Sequence, residues 1–100
     1  MALESPLKKD VEKANRELDV LNRLYNVYFQ GAEEDPPRQQ RKQLDALVGK
    51  IKSQVATATN AGDKFMANSF VSRYQTMAGK WDKHIKGIEN GTIHRPKKRE

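Results

Sequence analysis

Residues 7–28 read LKKDVEKANRELDVLNRLYNVY, and within them Leu7, Val11, Ala14, Leu18, Leu21, Tyr25 and Tyr28 recur at alternating steps of four and three residues. A helix turns about 100° per residue, so this rhythm lays all of these side chains along one stripe. A half-buried strand would need apolar residues at every second position, which the run lacks. Such a stripe is the seam of a helix packed lengthwise against other helices. Leu24 widens it. Ser5 offers a hydroxyl to an orphan backbone N–H, Pro6 suits the first helical position, and Gly31 supplies a left-handed stop. The first helix is therefore expected over residues 5–30.

The same rhythm returns twice. Leu44, Val48, Ile51, Val55 and Ala58, with Leu47 beside them, predict a second helix over 36–59. Asp35 is expected to cap it, with Pro36 and Pro37 in its first turn, where a missing N–H is harmless. Asn60, Gly62 and Asp63 are stop-and-start residues between the second and third helices. Ala67, Phe70, Tyr74, Met77, Trp81, His84 and Ile88, with Ile85 adjacent, predict a third helix over 63–90, closed by Asn90-Gly91. Three helices joined by short connections give an all-α, three-helix antiparallel bundle with coiled-coil-like packing. The bundle is expected over residues 1–91, followed by a disordered basic tail over 92–100. Up-down-up order gathers Tyr25, Tyr28, Phe29, Leu44, Trp81 and Ile85 at one pole. It gathers Leu7, Val11, Val55, Phe65, Met66 and Phe70 at the other. The competing architecture joins the second and third helices into one rod, with a homo-oligomer completing the bundle.

Composition narrows the function. One hundred residues suit one domain, and 36% hydrophobic against 32% charged residues suits a narrow core under a wide solvated surface. With no cysteine, disulfides, thiolate metal sites and cysteine nucleophiles are excluded. The first twenty residues are polar and no run approaches the roughly eighteen apolar residues of a membrane span. A cytoplasmic protein without membrane insertion is expected. No glycine-rich loop follows a strand and no nucleophile elbow is present. Asp82, His84 and Glu89 do not converge at helical spacing, and His94 stands apart, so His84 reads as a seam residue. No catalytic residue, metal or cofactor is expected.

Two surface features remain. The net charge is +6, which favours anionic partners. Arg38, Arg41, Lys42 and Lys52 fall on one side of the second helix, with Asp45 among them, and Arg95, Lys97, Lys98 and Arg99 follow in the tail. These eight are the candidate contacts to an anionic partner. Val27 and Phe29 lie off the first seam and form a candidate partner-contact patch. The leading expectation is a non-enzymatic protein–protein interaction module, an adaptor or regulatory partner that binds another protein. The alternative is nucleic-acid binding through the basic flank and tail.

Leu21-Asn22-Arg23-Leu24-Tyr25, Tyr28-Phe29, Gly31 and Pro36-Pro37, together with Arg73-Tyr74, Trp81, Ile88-Glu89 and Gly91, carry a resemblance. Over most of residues 18–92 the chain resembles a small all-helical family from deltaproteobacteria. The resemblance implies a helical fold and a bacterial cytoplasm, and it implies no functional residue.

Overall fold

Local chemistry sets where each helix starts and stops. The computed structural model describes residues 5–94, which form α1 (Pro6–Phe29), α2 (Arg38–Thr57) and α3 (Ala61–Glu89). The Ser5 hydroxyl accepts the Lys8 N–H at 3.1 Å, and Pro6 takes the first helical position. Gly31 adopts φ 83°. In that turn the Gly31 N–H donates to the Tyr28 carbonyl and the Ala32 N–H to the Val27 carbonyl. The pair is a Schellman closure that satisfies carbonyls the helix leaves open. The same closure ends α3, with Gly91 at φ 77° and the Gly91 and Thr92 N–H groups donating to Ile88 and Gly87. Residues 95–100, most of the expected tail, lie outside the described residues.

α2 is shorter than expected at both ends, ending at Thr57, and the starts of α2 and α3 both differ from the sequence expectation. Asp35 does not cap α2. Pro37 occupies the cap position without a side-chain hydrogen bond, and Asp35 stands 4.0 Å from Arg38 in an exposed ion pair. A residue before a proline is sterically disfavoured in the helical region. Asp35 and Pro36 both precede a proline, so the helix begins only after Pro37. Further on, Asn60 rather than Asp63 caps α3, accepting the Asp63 N–H at 3.0 Å. The third helix therefore starts at Ala61, two residues before the expected Asp63. Ala58 and Asn60 are both extended, so α2 and α3 are separate helices. All three helix pairs pack within one chain.

α2 runs against α1 and α3, as three cross-helix contacts show. Ser5 donates to Asp63 at 2.7 Å at one end, Gln54 to Asp10 at 2.6 Å near it, and Arg41 to Tyr25 at 3.1 Å at the other. The bundle is long and narrow, 56 × 24 × 17 Å. Every expected α1 seam residue is buried. Leu44, Val48 and Ile51 answer them from α2, and Ala67, Phe70, Tyr74, Ala78 and Trp81 from α3. Val55 and Ala58 pack partly buried against this core. In the upper half of α3, Ala78 and Gly87 are buried, whereas Met77 and His84 sit half-buried.

Phe65 is a correction. It was expected to close the lower pole, yet it is 75% exposed. It lies about 200° around the helix from buried Ala67, on the opposite face. Among the described residues, no helix is long and apolar enough to cross a membrane.

Candidate functional site

At the upper pole, aromatic rings meet side chains from all three helices. Tyr25 of α1 stacks on Trp81 of α3 with centroids 4.4 Å apart and 19° between planes. Phe29 stacks on His84 at 3.9 Å and packs near Tyr25 at 5.8 Å. Arg41 of α2 closes the cluster. Its Nη1 donates to the Tyr25 hydroxyl at 3.1 Å and to Asp82 Oδ1 at 2.9 Å, and its Nη2 donates to Asp82 Oδ2 at 3.1 Å. Its guanidinium carbon lies 5.6 Å from the Trp81 ring centroid, within cation–π reach. Asp45 adds an ion pair to Nε at 3.7 Å. The Asp82 hydrogen bond raises the Arg41 pKa above its ordinary value; burial opposes this and Tyr25 adds to it. The cation is thereby held on the clamp.

This geometry redistributes the basic flank expected on α2. Arg41, only 20% exposed in its side chain, is a clamp between helices. Arg38 is exposed and pairs with Asp35. Lys42 and Lys52 are exposed, with no ion pair among the described residues. Arg95, Lys97, Lys98 and Arg99 lie outside them. The expected Val27–Phe29 patch is half-buried, with Phe29 engaged by Tyr25, Tyr28 and His84.

A different surface stands open. Between α1 and α3, in their upper halves, runs a groove of about 460 Å³. Trp81, Met77 and Phe29 give it an apolar floor, and Asn22, Asn26 and Gln30 line its α1 side. Lys80 and His84 line the α3 side, and among the described residues no carboxylate lines it. The Trp81 indole N–H donates to Asn22 Oδ1 at 3.2 Å. That bond turns the amide oxygen inward and leaves its NH₂ to donate elsewhere. Arg73 then crosses between the helices, donating to Asn15 at 3.2 Å and Asp19 at 2.8 Å. Below that bridge a separate recess of about 310 Å³ opens on the same helix pair, lined by Phe65, Met66, Ser69 and Phe70 together with Asn15 and Arg73 themselves.

Sequence reasoning missed this groove, although a signal was present. Asn15, Asp19, Asn22, Asn26 and Gln30 form a second stripe on α1 at helical spacing. It contains no lysine or glutamate, unlike the solvated faces beside it. Among the described residues, no three His, Asp or Glu side chains are placed to hold a metal ion. No family model, curated protein or solved structure matches the chain, so function is argued from its own residues.

Proposed function

We propose that this chain is a non-enzymatic protein-interaction module, an adaptor or regulatory partner working in the bacterial cytoplasm. The observation that carries the proposal is the α1–α3 groove, with an apolar floor and carboxamide rim left over after a complete core has formed. Short amides lose less rotamer freedom on burial than lysine or glutamate. Protein interfaces are depleted of Lys and Glu at their centres and enriched in aromatic residues and Met. Trp81, Phe29 and Met77 beneath Asn22, Asn26 and Gln30 fit that composition. Affinity capture with the purified chain from its native lysate is the test. A defined partner retained through moderate salt and contacting α1 and α3 by cross-linking is the expected result. Retrieval of nothing specific overturns the reading.

The exposed, unpaired Lys42 and Lys52 favour a second reading, nucleic-acid binding. It requires a gel shift at low salt that weakens steeply as salt rises. The engagement of Arg41 by Asp82 removes the central cation from that surface.

A further inference from the structure

We propose that the α1–α3 groove receives an amphipathic helix of a partner protein that flanks its apolar stripe with carboxylates. This inference rests on the interaction-module reading and names the occupant. The groove follows α1 and α3 in their upper halves, and a separate recess opens on the same helix pair below the Arg73 bridge. From Met66 to His84, α3 rises about 27 Å at ~1.5 Å per residue, so a helix of roughly eighteen residues laid over both recesses passes across the Arg73 bridge between them. A helix laid there would complete a four-helix arrangement, burying one apolar edge against the half-buried Met66, Met77 and Phe29.

Charge selects the kind of helix. Among the described residues, the upper groove is lined by Lys80 and His84 and by no carboxylate. Lys80 is exposed and, like the other described lysines except Lys50, has no ion-pair partner among the described residues, so its ammonium is available to a carboxylate. Asp19, at the middle of the track, is already paired with Arg73. The free NH₂ of Asn22 donates, and a carboxylate accepts. A net charge of +6 draws an acidic segment in and repels a second copy of the same chain.

Trp81 is the chain's single tryptophan and lies in the groove floor, so its fluorescence reports occupancy. Two synthetic eighteen-residue helices serve as probes, both with leucine at seam spacing, one flanked by glutamate and its twin by lysine. The glutamate peptide should shift Trp81 emission saturably at micromolar concentration, and the lysine twin should leave it unchanged. Lys80→Glu and Asn26→Glu, both at exposed positions, should each keep the helical circular dichroism. Together they should weaken binding at least about tenfold. Equal response to both peptides, a flat signal with both, or indifference to the two substitutions overturns the proposal. A single-stranded oligonucleotide giving the same Trp81 shift with the same sensitivity to substitution also overturns it, in favour of nucleic acid. Cellular capture separates the two levels. A partner retained by the doubly substituted chain leaves the interaction module standing and removes the groove, whereas no partner for the native chain removes the module itself.

Discussion

Arg41 illustrates what a single side chain contributes here. From the sequence it is one cation on a helical flank. In the fold its fork meets Asp82, its Nη1 also reaches Tyr25, and its plane lies near Trp81. A partner 41 positions away leaves no trace in local periodicity, so the burial of Arg41 was not legible. Its loss should loosen all three helices at once. Because Asp82 is largely solvent-exposed, screening trims the effect, and Arg41→Ala should destabilise by about 1–2 kcal/mol. That is roughly 5–10 °C in melting temperature for a domain of this size. Arg41→Lys should recover only part of it, since an ammonium cannot bridge both carboxylate oxygens in the fork geometry. The raised Arg41 pKa works in the protonated direction: its stabilisation is full below the unfolded arginine value and is lost only as pH rises through the folded one. Arginine titrates so far above neutral that this contributes no pH dependence near neutrality. The Tyr74 hydroxyl is the opposite case. Among the described residues it is buried without a hydrogen-bond partner, a state that carries an unrecovered desolvation cost. Tyr74→Phe should leave the melting temperature unchanged or raise it, and a clear fall would reveal an unseen partner for that hydroxyl.

The helices were the most legible part of the chain, and their ends mark where legibility stopped. A four-three rhythm fixes which face is buried because helical geometry allows only one face to carry it. The α1 seam accordingly matched residue for residue. Stop signals at Gly31 and Gly91 were equally clear, because positive φ admits glycine at little cost. Start signals were more ambiguous. Asp35, Asn60 and Asp63 are all good capping types, and the choice among them depends on backbone that neighbouring prolines or the preceding turn dictate. Phe65 sits at the height of the lower pole but about 200° around α3 from buried Ala67, so height along the helix alone does not put a ring in the core. These distinctions are measurable. Ser5→Ala removes both the Lys8 cap and the tie to Asp63 and should cost about 1–2 kcal/mol. Phe65→Ser, on an exposed face, should stay within about 0.5 kcal/mol in thermal melts. A large loss on Phe65→Ser would return that ring to the core.

The molecule as a whole is a closed core with an open groove along α1 and α3. Leu18, Leu21, Leu44, Ile51 and Val11 are fully buried at its centre, and the aromatic clamp seals its upper end. Bundle architecture follows from the seams, since three stripes of matching rhythm can be satisfied together in one chain. The groove does not follow from the seams. It depends on how far α1 and α3 stand apart, which seam spacing leaves open. Its amide stripe was visible in the sequence but carried no meaning until a facing helix was known. The central claim is that three helices of one chain bury a common interior without help from another molecule. Native-state amide hydrogen exchange on the isolated chain tests it at several concentrations. The account predicts strong protection around Leu18 and Leu21, Leu44 to Ile51 and Phe70 to Trp81 alike, independent of concentration. Exchange of α2 or α3 at free-chain rates in dilute solution, with protection growing as the chain is concentrated, would contradict it.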